Sequence, residues 1–197
     1  MSSPGAARHG VLLAGGAGSR LGSGKPSAEL AGRPLIDFPL AAMRAAGLEV
    51  TIVAKRESEL PAGTRAIHEP DAPLHPLLGI VTALELLDEP VVVCACDMPF
   101  VTGELLAWIA SINEAPVAVP RRGEMIDPLL GRYTPAALPA LRQALAAGGS
   151  ARAAVEGAGL REITDVELAR FGEPDRLLFD VDTPEDLQIA AQMTVCT

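Results

Sequence analysis

The chain has little of what would place it in a membrane, outside the cell or on a nucleic acid. No apolar run approaches the roughly 20 residues of a bilayer span. The start, "MSSPGAARHG", lacks the charged-then-apolar order of a secretory signal. There are only three cysteines. Two of them, Cys94 and Cys96, alternate along an apolar run, a spacing that excludes a disulfide between them, and no second cysteine cluster completes a metal site. They are expected to be reduced core thiols of a cytoplasmic protein. Basic residues are also scarce: 16 Lys and Arg face 25 Asp and Glu, the net charge is −9, and no basic run stands out. That excludes a phosphate-backbone patch for nucleic acid, so any anion must be gripped locally. A Gly-x-Ser-x-Gly elbow is absent, which leaves a hydrolase triad without support.

What is present is a 197-residue chain that is 49% hydrophobic, long enough for one domain over residues 1–197 with a sizeable core. Short Val-rich runs, "GVLLA" (10–14), "EVTIVA" (49–54), "PVVVCAC" (90–96) and "APVAVP" (115–120), are apolar on both faces, as buried parallel strands are. Helical segments separate them. "DFPLAAMRAAG" is expected to be a helix with Asp37 as N-cap, Pro39 in the first turn and Gly47 as the stop. Further helices are expected over 76–87, over 102–112 with Thr102 as cap, and over 135–149. A last strand, "RLLFDVD" (176–182), precedes a helix capped by Thr183 with Pro184 at its first position. "GSARAAVEGAG" (149–159) is expected to be a mobile Ala- and Gly-rich stretch. Such alternation predicts an α/β fold of three layers, a mostly parallel central sheet with helices on both faces.

The densest chemistry lies in "LLAGGAGSRLGSGKPSAEL" (12–30). It is not a Walker loop: Ser19 stands where that loop needs its first glycine, and Pro26 follows Lys25 where a hydroxyl should ligate magnesium. Nor is it the dinucleotide fingerprint, because Leu21 takes the place of the third glycine. What remains is a strand, then Gly15, Gly16 and Gly18, then Arg20, then Gly22, Gly24 and Lys25. Glycines let peptide N–H groups approach an anion closely. Arg20 can fork phosphate oxygens, and Lys25 is a compact charge for a reacting phosphoryl group. The loop is suited to wrapping a triphosphate. Asp97 follows an apolar strand at the sheet edge where open α/β sheets bind ligands. Asp180 and Asp182 leave the last expected strand on one side of it. Asp97 with Asp182 would form a hard oxygen pair for magnesium, completed by triphosphate oxygens and water.

Other candidates have plainer readings. His68 and His75, seven residues apart across two prolines, are expected to be loop histidines, and Trp108 with its leucines is expected to be core. Arg121 and Arg122 could meet an acceptor phosphate or face water.

"LAGG…R.G..K" at the start, "CDMPF", "DPLLGRY" and "DVDTPEDL" occur in this order over nearly the whole chain. Together they resemble the nucleotidyltransferases of Rossmann-like fold, and among them the molybdenum-cofactor guanylyltransferases. The resemblance implies a magnesium-dependent transfer of GMP from GTP to molybdopterin, or its molybdate-bearing form, with pyrophosphate leaving. It also implies transient contacts with cofactor-delivery or acceptor proteins. By position, Leu13, Ala14 and Gly15 would meet the base through backbone groups, with Gly15-Gly16 favouring guanine. Lys25 would sit on the triphosphate and Asp97 on the metal, with Arg20, Lys25 and Asp97 as the catalytic set. Lys55 and Glu69 stand where that family commonly has an asparagine and a nucleotide-contacting aspartate. His75, Asp127, Asp180 and Asp182 are further departures. A cytidylyl- or sugar-1-phosphate nucleotidyltransferase and a non-catalytic nucleotide-binding relative are the alternative readings.

Overall fold

A computed structural model describes residues 5–15, 25–58, 60–62, 65–72 and 75–195. The elements follow in chain order: β1 (His9–Leu13), β2 (Glu29–Leu30), β3 (Arg33–Pro34), α1 (Asp37–Ala45), β4 (Glu49–Ala54), β5 (Ile67–His68), α2 (Leu78–Leu87), β6 (Val91–Ala95) and α3 (Gly103–Ser111). The second half contributes β7 (Val117–Arg122), β8 (Met125–Ile126), β9 (Leu130–Tyr133), α4 (Leu138–Ala147), α5 (Ala151–Gly157), β10 (Leu160–Ile163), α6 (Asp165–Leu168), α7 (Pro174–Leu177) and α8 (Pro184–Val195).

Among the described residues the main sheet runs β10-β7-β9-β6-β1-β4-β5, with β8 paired to β7. Strands β5, β4, β1 and β6 are parallel neighbours, and β10 is parallel to β7. Only β9 enters that row reversed, antiparallel to both β6 and β7. Period-two alternation sends strand residues to two cores. Leu12, Val92, Cys94 and Ala118 pack with Met43 of α1 and Leu105, Leu106 and Ile109 of α3. Val11, Val53, Val93 and Val119 pack with Ile80 and Leu84 of α2, Leu141 of α4 and Val155 of α5. The result is the expected three-layer α/β architecture, with β6 buried along its whole length.

Local signals explain most element ends. Thr102 Oγ1 accepts from the Leu105 N–H, and Thr183 Oγ1 accepts from the Asp186 N–H while Asp186 Oδ2 accepts from the Thr183 N–H in return. Gly47, at φ +76°, follows the C-cap of α1 and takes the left-handed conformation that ends it.

Four expectations are corrected. Asp37 is not an N-cap: Ile36 is already in the right-handed helical region, Leu40 donates to its carbonyl, and Asp37 lies in the first turn as a favourable acid. "RLLFDVD" is not a strand. Glu173 caps α7 by accepting from the Arg176 N–H, and the apolar residues are divided between clusters, Leu177 and Leu178 in one and Val181 in another. "GSARAAVEGAG" is not irregular. Ser150 Oγ accepts from the Ala153 N–H to start α5, and Ala154 and Val155 bury its face. His68 ends strand β5 rather than lying in a loop, whereas His75 does lie in a connection. The Nδ1 of His75 accepts from the Leu77 N–H, so its Nε2 donates to the Gly149 carbonyl.

Candidate functional site

The parallel strands β1, β4, β5 and β6 end at one edge, where Ala14, Lys55, Glu69 and Asp97 follow them. Past β1, the Ala14 N–H donates to the Val53 carbonyl and the Leu13 carbonyl accepts from the Cys96 N–H, which stitches the start of the glycine loop between β4 and β6. Gly16, Gly18, Arg20, Gly22 and Gly24 lie outside the described residues. Lys25 opens a 3₁₀ turn, Lys25–Ser27, anchored where the Pro26 and Ala28 carbonyls accept from Ile36 and Leu35.

On the β4 side, Glu69 continues the ladder past β5, its N–H donating to the Ala54 carbonyl. Its side chain is only 8% exposed and meets Lys55 Nζ 3.2 Å from Oε1. The carboxylate fills the space beside two glycines. A Cβ on Gly15 would lie 2.6 Å from Oε1, and one on Gly79, in the first turn of α2, would lie 2.8 Å from Oε2. A side chain at either position would displace the Glu69 carboxylate from this close approach, and the N-terminus of α2 favours a negative group.

On the β6 side, the reversed strand matters. Cys94 is the last β6 residue paired with β9, opposite Leu130. Three residues beyond Cys94 comes Asp97, and three before Leu130 comes Asp127, so continuing the antiparallel register brings the two aspartates to the same end of the sheet. The Asp127 N–H donates to the Pro120 carbonyl and its Oδ1 accepts from the Leu129 N–H. Burial pushes its carboxyl up to about 6, and the charges of Asp180 and Asp97 push the same way against the Leu129 hydrogen bond and Arg122. Burial, with a smaller contribution from Asp127, also holds the Tyr133 hydroxyl well above its ordinary value. That hydroxyl donates to the Pro128 carbonyl at 2.6 Å. Cys94 and Cys96 are buried, as expected, and burial pushes the Cys94 thiol up, reinforced by Asp97 and Asp127.

The third acidic segment reaches this edge through the backbone. The Val181 N–H donates to the Asp97 carbonyl at 2.9 Å. Val181 is buried with Leu30, Leu35 and Ala190, whereas Asp180 beside it is exposed and Asp182 half-buried. The Asp182 N–H donates to Asp186 Oδ2, which fixes the entry into α8. Asp97, Asp127 and Asp180 thus concentrate negative charge within electrostatic reach of one another, a setting that a hard divalent cation relieves. Among the described residues no group of three His, Cys, Asp or Glu side chains is arranged to hold a metal alone.

Several candidates resolve differently. Arg121 pairs with Glu162 at 2.6 Å and Arg122 with Asp175 at 3.1 Å, so both arginines hold partners within the chain. Trp108 sits half-buried at the rim of its core, against Phe171 and beneath the guanidiniums of Arg161 and Arg170. Two features were missed in the sequence: the Lys55–Glu69 pairing and the place of Asp127 among the site carboxylates. A signal for the second exists only once β9 is known to run antiparallel to β6.

Residues 10–163 match the family model described as the MobA-like NTP transferase domain. The chain is 31% identical to a probable molybdenum cofactor guanylyltransferase of Pelotomaculum thermopropionicum, covering 93% of this chain and 92% of the relative. It is also 31% identical to a molybdenum cofactor guanylyltransferase of Pseudomonas putida, covering 85% and 94%. In fold it is similar to the molybdopterin-guanine dinucleotide biosynthesis protein A of Archaeoglobus fulgidus, with a TM-score of 0.79 at 24% identity over 95% of this chain and 98% of that one. The charged C-terminal edge of the sheet therefore belongs to a nucleotidyltransferase, and the chain is a member of the MobA-like NTP transferase family.

Proposed function

We propose that the chain, as one domain over residues 1–197, is a cytoplasmic molybdenum cofactor guanylyltransferase that transfers GMP from GTP to molybdopterin with release of pyrophosphate. The observation that carries the reading is the sheet edge itself. A buried, ion-paired carboxylate stands beside Gly15 at the start of the glycine loop, and a concentration of aspartates stands after β6. Its relatives named for this activity support the substrate pair.

Attack on an α-phosphorus builds negative charge and expels pyrophosphate, so the site must supply cations and fixed donors rather than a covalent nucleophile. In this reading the backbone at Leu13, Ala14, Gly15, Gly16 and Gly18 approaches the nucleotide. Arg20 and Lys25 neutralise the triphosphate, and Lys55 and Glu69 form the wall of the base pocket. Magnesium, when bound, would be held by Asp97 with Asp182 and would supply positive charge to the phosphate oxygens. Asp97 is fixed for that role by the Val181 N–H on its carbonyl. Acceptor or cofactor-delivery proteins would meet the chain only transiently. Among the described residues no helix is long and apolar enough to cross a membrane.

Thermal unfolding with each of the four ribonucleoside triphosphates, with and without magnesium, tests the base. A ligand at 100 times its Kd stabilises by about 2.7 kcal/mol, a rise in Tm of roughly 5–10 °C at this size. A rise with GTP that grows with magnesium is expected. A rise with CTP or UTP instead would move the protein to another acceptor, and no rise with any of the four would remove the enzymatic reading.

A further inference from the structure

The chain contains two lysines, Lys25 and Lys55, among its 16 basic residues, and Lys55 does not face solvent. Its Nζ is buried, makes no hydrogen bond of good geometry among the described residues, and lies 3.2 Å from Glu69 Oε1. The Lys55 N–H donates to Ser58 Oγ, which holds the backbone turn from which the side chain leaves β4. A buried ammonium is costly unless it is held against a fixed counter-charge. Here that counter-charge is the carboxylate packed between Gly15 and Gly79.

We infer that Lys55 is a positioning residue: it fixes the Glu69 carboxylate against Gly15 and the first turn of α2, and Glu69, not Lys55, meets the nucleotide base. The inference rests on the guanylyltransferase reading and refines it. Guanine presents two adjacent donors, N1–H and the N2 amine, which match the two acceptor oxygens of a carboxylate. Cytosine presents an acceptor nitrogen beside its amine, so a carboxylate held in one place repels half of its edge. The selectivity depends on the carboxylate being held in one place, and Lys55 holds it there. The substitutions at positions 55 and 69, taken in the sequence as two departures, are then one coupled exchange.

Calorimetric titration of the full chain with GTP and with inosine triphosphate, which lacks the N2 amine, tests this in the presence of magnesium. The proteins are the wild type, Glu69→Gln, Lys55→Met, Lys55→Arg and the double variant Lys55→Met/Glu69→Gln. The wild type is expected to prefer GTP. Glu69→Gln and Lys55→Met should each weaken GTP binding on the order of 10- to 100-fold and bring the GTP-to-inosine-triphosphate preference toward unity, while Lys55→Arg retains both. Because Lys55 acts through Glu69, the double variant should bind GTP no more weakly than Glu69→Gln alone. The double variant leaves no unpaired buried charge, so it decides the matter even if Lys55→Met fails to fold. Losses that add in the double variant, or an unchanged preference in folded Glu69→Gln, would overturn the positioning role alone. A wild type that binds no GTP would overturn both this inference and the reading beneath it.

Discussion

On the β4 side of the sheet edge, the buried carboxylate of Glu69 has a lysine ammonium 3.2 Å away. On the β6 side, the half-buried Asp127 feels Asp180 and Asp97, and Arg122 opposes them only as the weakest of the contributions. The two acids belong to one edge of one sheet, yet the first has its counter-charge within the chain and the second has its carboxyl raised to about 6 by burial and like charge. A pocket that reads an uncharged base by hydrogen bonds needs a rigid, pre-formed wall, and a buried ion pair provides one. A pocket that receives a triphosphate with its cation gains from carboxylates whose mutual repulsion the cation relieves, because that relief favours binding.

The largest effect is expected at the proposed triphosphate and metal contacts. Asp97→Ala and Lys25→Ala should each lower turnover by roughly 10³-fold or more in steady-state assays while circular dichroism shows an intact fold. A near-normal rate in either would mean that the reacting phosphate lies elsewhere. Next comes the balanced pair: Lys55→Met, which strands a buried carboxylate, should cost about 3 kcal/mol in urea unfolding, and the double variant Lys55→Met/Glu69→Met clearly less. Equal losses would show that the pair contributes packing rather than charge balance.

Asp127 sharpens the contrast because its contribution has the opposite sign. Its carboxyl is raised from 3.8 to about 6 in the folded chain, so the folded state binds more protons than the unfolded state between those values. Stability is therefore lost as pH rises through that window, and Asp127→Asn should be more stable than wild type at pH 7 by on the order of 2 kcal/mol in magnesium-free buffer. The difference should vanish below about pH 4, and an Asn variant less stable at pH 7 would contradict the charge argument. The smallest effect belongs to the scaffold. Thr102→Ala removes the acceptor for the Leu105 N–H and should cost about 1 kcal/mol without changing nucleotide preference.

Much of the strand and helix-cap framework was legible in the sequence. The strands over 10–14, 49–54 and 90–96 were visible because both faces of a central parallel strand are apolar, and Thr102 and Thr183 announced their helices by local chemistry alone. The second half was harder to read. Strand β9, "LGRY", is short and carries Gly131 at φ +154°, where a Cβ would collide with the Ala118 carbonyl, so it lacks the Val-rich signature of a central strand. Its reversed direction comes from the β7–β8 hairpin, turned at Gly123, and a composition pattern carries no direction. Missing β9 hid the register that carries Asp127 to Asp97. "RLLFDVD" misled because its apolar residues serve two different clusters rather than two faces of one strand. The Lys55–Glu69 pair joins residues fourteen positions apart in a charged stretch, and only the β4–β5 pairing makes them neighbours.

The most direct test is a turnover assay with GTP labelled at the α-phosphate, molybdopterin and magnesium, separating the products by chromatography. The account predicts label in the molybdopterin dinucleotide with one pyrophosphate released per transfer, and no such product from labelled CTP. Transfer from CTP but not GTP, or no transfer from either by folded protein, would contradict it.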